Sequence, residues 1–266
     1  MRLGMGFHVT FAMPWTRLLD MASRAGVSVV EFKFDDIRIL TRPAPLGLRR
    51  ILEGYNFEIG VHAPYIDINP ASLNPLMRMA SQRSLMASVR FAAGIGARYI
   101  VCHVGRLSRD YPLGLRARAF TNLVRTLGAV AREASRFGIE LTVENDHKTD
   151  DYSFSATPDA LRRVAERLGC KVTLDLGHAN TVGNPVEYID QLKDLISVVH
   201  IHDNRGALDE HLPLGRGTLD VRGCIRALNR INFNGPLVVE VHSIPGTMAS
   251  IRMLNRLLSR AGATPR

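Results

Sequence analysis

The sequence predicts an α/β fold in which eight parallel strands close into a (β/α)8 TIM barrel, and three observations predict it. Short β-rich runs alternate with longer amphipathic stretches from one end of the chain to the other. The runs are almost continuously apolar, as parallel strands covered by helices must be. Eight such units in 266 residues match the size of a closed barrel. An open doubly wound sheet is the competing architecture, but the loop after the first run lacks the Gly-rich phosphate fingerprint of dinucleotide folds.

In chain order, the first run covers residues 3–8, ends at His8, and leads into an amphipathic stretch over 14–25 that stops at Gly26. The second covers 27–32, with Asp35 and Asp36 just beyond it. The third, 57–62, ends in His62 and precedes a long helical pattern over 71–94. The fourth, 98–103, ends in His103, and the helix over 115–138 stops at Gly138. The fifth, 139–144, ends in Glu144. It is followed by a helix over 158–169 that opens on Thr157-Pro158, a cap and then a proline at the first helical position, and stops at Gly169. The sixth, 171–175, ends in Asp175, and the helix over 185–195 opens the same way on Asn184-Pro185. The seventh, 197–202, carries His200 and His202. The eighth, 237–241, carries Glu240, and a helix over 247–261 closes the chain.

Composition narrows the class. Apolar residues make up 46% and charged residues 22%, with 22 Gly and 13 Pro, which excludes disordered and collagen-like chains. No composition shift or linker marks a boundary, so residues 1–266 read as one barrel domain. The three cysteines, Cys102, Cys170 and Cys224, are too few and too scattered for a disulfide framework or a paired-Cys zinc motif. With no apolar signal core and no long uncharged span, the expected location is the cytoplasm, away from membranes. The net charge of +9 rests on Arg far more than Lys and favours anionic partners. A phosphorylated metabolite and a nucleic acid satisfy it equally, as does a general bias toward Arg.

The chemistry lies in how the strands end. His62, His103, Glu144, Asp175, His200 with His202, and Glu240 terminate six consecutive predicted strands. In a parallel barrel these ends meet on one rim. A single rim histidine is ordinarily a hydrogen-bonded structural residue, but six consecutive metal-ligand types are hard to attribute to chance. Imidazole with carboxylate suits Zn²⁺, Mn²⁺, Fe²⁺ or Co²⁺. Two local clusters enrich the rim: Asp175-Leu176-Gly177-His178, and the run from Asp209 through His211 to Gly215-Arg216-Gly217. That Gly-Arg-Gly turn either cradles an anion or simply precedes a helix starting near Leu219. Arg106, Arg109, Arg116 and Arg118 read as solvated helix charges with a phosphate patch as the alternative; His8 reads as a satisfied rim residue and Trp15 as packing.

From about Phe57 to His242 the chain resembles the xylose isomerase-like TIM barrel superfamily, which contains endonuclease IV and the sugar isomerases and epimerases. The motifs that carry this are His62-Ala63-Pro64-Tyr65, the strand ending at His103, Glu144-Asn145, Leu174-Asp175-Leu176-Gly177-His178-Ala179-Asn180, His200-Ile201-His202-Asp203-Asn204, Asp209 to Gly217, and Val239-Glu240-Val241-His242. The resemblance implies one divalent ion held by Glu144, Asp175, His200 and Glu240, with His200 preferred over His202 because it precedes Asp203 by three residues. It also supplies counterparts for two further ions: His62 and His103 beside Glu144, then His178, Asp209 and His211. One to three ions follow, zinc or manganese foremost. Tyr65, His202 and Arg216 are then left to touch substrate.

Two activities follow from the resemblance. The first is a divalent-metal-dependent sugar or sugar-phosphate isomerase or epimerase, in which the metal stabilises an enediolate and Glu144 and Glu240 shuttle the proton. The wording of the motifs around Asp175 and His202 favours it. The second is an endonuclease IV-like apurinic/apyrimidinic endonuclease, hydrolysing phosphodiesters in DNA with an abasic site at a trinuclear centre. The complete ligand set and basic charge favour it. Against it, Asn145-Asp146-His147-Lys148 follows Glu144 where the family has a small, Gly-containing run, and the turn after His103 lacks the usual Pro. The isomerase is the preferred expectation, and the sequence leaves open whether the barrel stands alone or forms a homo-oligomer. A metal-binding barrel without catalysis is the third class.

Overall fold

A computed structural model describes residues 1–41, 45–147 and 152–260. Lys148 of the run after the fifth strand, and Ala261 at the end of the last predicted helix, lie outside these residues.

The elements alternate as the periodicity requires. They are β1 (Arg2–Phe7), α1 (Trp15–Arg24), β2 (Val29–Lys33), α2 (Ile37–Leu40), α3 (Pro45–Leu52), β3 (Glu58–His62), α4 (Pro75–Ile95), β4 (Tyr99–His103) and α5 (Arg116–Arg136). There follow β5 (Glu140–Glu144), α6 (Pro158–Leu168), β6 (Lys171–Asp175), α7 (Leu176–Val182), α8 (Pro185–Leu192), β7 (Ile196–Ile201), α9 (Val221–Arg230), β8 (Pro236–Val239) and α10 (Ile244–Arg260). Each strand pairs in parallel with the next, and β8 pairs with β1 to close the barrel. The helix signals act as expected: Thr157 and Asn184 accept hydrogen bonds from Ala160 N and Val186 N, and Gly169 ends α6 in the left-handed region at φ 62°.

Alternate strand residues point inward. At the N-terminal end the interior holds Val29, Tyr99, Val101, Val198 and Val238, packed together. Gly60 on β3 makes room for the Tyr99 ring, since a Cβ there would lie 2.2 Å from the ring. Toward the C-terminal end the interior turns polar, with Glu31, Thr142 and Thr173 all buried and the two threonine hydroxyls 2.6 Å apart. The larger apolar core lies between the strands and the helices. This layering leaves the C-terminal rim, just above the buried polar level, as the place where side chains gather around open space.

Candidate metal centre

Each predicted strand end delivers its ligand type to that rim. His62, His103, Glu144 and Asp175 are the last residues of β3, β4, β5 and β6; His200 lies near the end of β7 and Glu240 just beyond β8. Asp175 also caps α7, accepting a hydrogen bond from His178 N at 2.8 Å, which fixes His178 in the first turn beside it. The loop after β7 folds back over the rim and brings Asp209 and His211.

Glu144 is the hub. One carboxylate oxygen lies 2.8 Å from His103 Nε2 and 3.3 Å from His62 Nε2, and the other 2.8 Å from His200 Nδ1. His200 Nδ1 is also 3.6 Å from Glu240 Oε1. Asp209 Oδ2 sits 3.3 Å from His178 Nε2 and 3.2 Å from His211 Nε2. Among the described residues four groups of donor atoms form, the atoms of each lying within 4.8 Å of one another: His62, His103 and Glu144; Glu144, Asp175 and His178; Glu31, His200 and Glu240; and His178, His202, Asp209 and His211.

These donors fit a divalent cation. His62, His178 and His211 each place Nδ1 within 2.8 Å of a backbone carbonyl, of Ala63, Asn145 and Glu240 respectively. A carbonyl only accepts, so Nδ1 carries the hydrogen and Nε2 of the neutral ring presents a lone pair. That lone pair faces carboxylates, an arrangement that calls for a cation between them or a charged ring. Asp175 Oδ2, Asp209 Oδ1 and His202 Nε2 are also buried with no hydrogen-bond partner among the described residues.

The electrostatics agree. Burial works against ionisation of Glu144, but the imidazoles of His103 and His200 outweigh it and hold the carboxyl well below the usual carboxylate range. Burial likewise opposes charge on His200, yet Glu240, Glu31 and Glu144 raise its pKa well above the ordinary imidazole value. At the rim edge the sign reverses: burial and the positive charge of Lys33 lower His8 to about 4, leaving a neutral ring.

Two residues that sequence reading misses complete the floor. Lys33 is buried with its Nζ 2.9 Å from Glu240 Oε1, and Glu31 lies 3.1 Å from His200 Nε2. A second strand ending at Phe32 leaves Lys33 outside it; extending it by one residue places Glu31 and Lys33 on the inner face together. Asp35 and Asp36, to which the sequence assigns no partner, serve the backbone: Asp35 accepts from Tyr65 N at 2.8 Å and Asp36 caps α2.

Of the three expected substrate contacts, the structure places two away from the cavity lining. Arg216 is exposed and does not line the cavity. The anion cradled by its turn is the chain's own Asp203, which accepts from Gly215 N at 2.8 Å and Gly217 N at 2.9 Å. His202 points into the Asp209 group, its Nε2 3.3 Å from Asp209 Oδ1. Tyr65 does line the cavity, with its ring stacked 5.5 Å from that of His103. Arg116 turns away, donating to Ser153 O and covering Phe154, whereas Arg106 borders the cavity. The cavity over the centre measures about 190 Å³ and shares Tyr65, His103, Arg106 and Asp146 with a neighbouring pocket of about 340 Å³.

The sequence profile of the xylose isomerase-like TIM barrel family matches residues 19–257. The chain belongs to that family. A crystal structure of a D-tagatose 3-epimerase-like protein superposes with a TM-score of 0.89 at 26% identity, covering 98% of each chain. The TTHB071 protein of Thermus thermophilus, in a structure soaked with zinc chloride, matches at 25% identity with a TM-score of 0.78, covering 98% of this chain and 99% of its own. A probable endonuclease 4 of Mycobacterium tuberculosis is 27% identical over 226 residues, 81% of this chain and 84% of its own. Xylose isomerase-like barrels thus supply this chain with both sugar-enzyme and nuclease kin.

Proposed function

We propose that the protein is a divalent-metal-dependent epimerase or isomerase of sugars or sugar phosphates. The observation that carries this reading is that two carboxylates, Glu144 from β5 and Glu240 from beyond β8, reach the same imidazole nitrogen on the floor of a small cavity. Glu144, Asp175, His200 and Glu240 would hold the ion, which when bound supplies Lewis acidity to a carbonyl and its neighbouring hydroxyl. One carboxylate takes the proton from the carbon beside the carbonyl, and the other returns a proton from the second face. His200 and Lys33 outweigh burial and keep Glu240 ionised, the form that accepts a proton. The neighbouring pocket of about 340 Å³ falls in the range of small-molecule sites, and Arg106 at its border suits an anionic substituent such as a phosphate. The similarity to the epimerase-like structure supports the same reading.

A second reading, an endonuclease acting at abasic sites, is favoured by the endonuclease 4 relative and by the assembly of His178, Asp209 and His211 around a further cation position. One experiment separates them. Metal-loaded protein is incubated in D₂O with ketoses and their phosphates, and proton NMR follows exchange at the carbon next to the carbonyl. The proposal predicts exchange that Glu240→Gln abolishes. Absence of exchange across the panel, with incision of an abasic-site duplex that Asp209→Ala removes, would establish the nuclease instead.

A further inference from the structure

The side of the cavity made by β8, β1 and β2 lies across the barrel from β4 and β5, whose loops border the neighbouring pocket. His8, Lys33, Glu240 and His242 line it. Apart from Glu240, this wall offers donors. Lys33 is buried, and its ammonium meets Glu240 Oε1 at 2.9 Å, which leaves two of its three hydrogens for the cavity. Burial opposes that charge, yet Glu240 outweighs it and raises the lysine above its ordinary value, so the group is a cation and not a free amine. His8 donates as well. The Thr10 backbone N–H reaches its Nδ1 at 3.3 Å, and an N–H only donates, so Nδ1 holds the lone pair and Nε2 carries the hydrogen. The ring is held by stacking on His242 at 4.1 Å between centroids, and burial and Lys33 keep it neutral.

We infer that Lys33 and His8 form a subsite for a carboxylate of the substrate, which makes the substrate class a sugar acid. Two donors bearing one positive charge match a group with two acceptor oxygens and one negative charge. A phosphate dianion is bulkier, and the cavity of about 190 Å³ must also hold the reacting carbons; Arg106 and the pocket of about 340 Å³ offer a phosphate room on the far side. A neutral hydroxyl would leave the ammonium's charge unanswered once Glu240 serves an ion, and a buried unpaired charge is costly. This subsite presupposes that the cavity takes a sugar, and it fixes which end of the sugar faces β1.

Three ligands of one carbon skeleton test it: D-glucitol, D-gluconate and D-glucitol 6-phosphate, titrated calorimetrically into the zinc-loaded full chain. Having no ketone or aldehyde, they bind without turnover, so the result stands apart from the hydrogen-exchange assay. Gluconate should bind about tenfold tighter than glucitol, the worth of a hydrogen bond to a charged group. Lys33→Met should bring that ratio close to one. His8→Phe, which keeps a ring against His242 but loses the donor, should lower it about threefold. Circular dichroism checks that the variants are folded; if Lys33→Met is not, His8→Phe decides. No binding of any of the three, a ratio near one in the wild type, or a gluconate advantage unchanged in the folded variants, as when the ion alone holds the carboxylate, would overturn the subsite. A larger advantage for the phosphate, kept in His8→Phe and Lys33→Met, would overturn it too and place the anion with Arg106. Exchange on ketoses with a gluconate ratio near one would keep the sugar enzyme and discard the subsite; absence of exchange with the ratio and its loss in Lys33→Met intact would keep the subsite and discard the isomerase.

Discussion

Ligand and base roles are most exposed to test at single positions. Glu240→Gln or Asp175→Asn removes a charge from the rim without removing core packing. Each should lower bound metal and abolish turnover while leaving the circular dichroism spectrum unchanged; full activity in either would take the central ion out of the mechanism. Lys33 makes a different prediction. Its ammonium and the Glu240 carboxylate are both buried and paired at 2.9 Å, so Lys33→Met strands a carboxylate. Removing one partner of such a pair costs about 3 kcal/mol or more. Urea unfolding of the metal-free variant should show that loss, and a bound divalent ion should restore part of it; an unchanged midpoint would mean the pair contributes nothing. The strand-end pattern makes six ligand candidates legible from sequence because in a parallel barrel the last inward residue of each strand reaches the rim; His178, Asp209 and His211 lie off the strands and are named only through the family resemblance. Lys33, Glu31 and the orientation of His202 are not legible. Strand parity separates one face from the other but does not tell which of two inward residues reaches an ion and which lies one layer deeper.

Among the elements, strands are the easiest to place. Each predicted run overlaps its strand and differs by no more than two residues at either end. The long helices follow from their Pro and Gly boundaries, while α2, α3 and α7 do not: α2 is four residues long, too short for a helical period to show, and α7 starts immediately after Asp175, the last residue of β6. The barrel interior offers a sharp test of how these elements pack. A methyl group at position 60 would meet the buried Tyr99 ring at 2.2 Å, so Gly60→Ala should destabilise by about 1–3 kcal/mol through overpacking. Adding Tyr99→Leu should recover most of that loss in thermal unfolding. Equal stability of wild type and Gly60→Ala would contradict the packing described for the N-terminal layer.

Taken whole, the molecule concentrates negative charge where it is least solvated. Glu31, Glu144, Asp175 and Glu240 are buried at the barrel mouth and Asp209 partly so, with Lys33 as the buried cation among them, although the chain as a whole carries +9. The excess Arg therefore lies elsewhere, and net charge alone says little about the substrate. In the metal-free protein the carboxylates raise His200 and His178 despite burial, so protons and metal compete for the centre. Loading with Zn²⁺ at neutral pH should release protons, read with a pH indicator in weak buffer, and occupancy should fall as the pH drops below those raised values. Metal uptake without proton release would show that the rings were already neutral. Beneath all of this lies one requirement, that side chains from separate strands share a cation at the barrel mouth. An anomalous difference map from crystals of zinc-loaded protein, collected above and below the zinc absorption edge, shows that cation or its absence. A peak should appear within bonding distance of Glu144, Asp175 and Glu240; a map with no peak at the rim, from protein shown to contain zinc, would refute the shared centre.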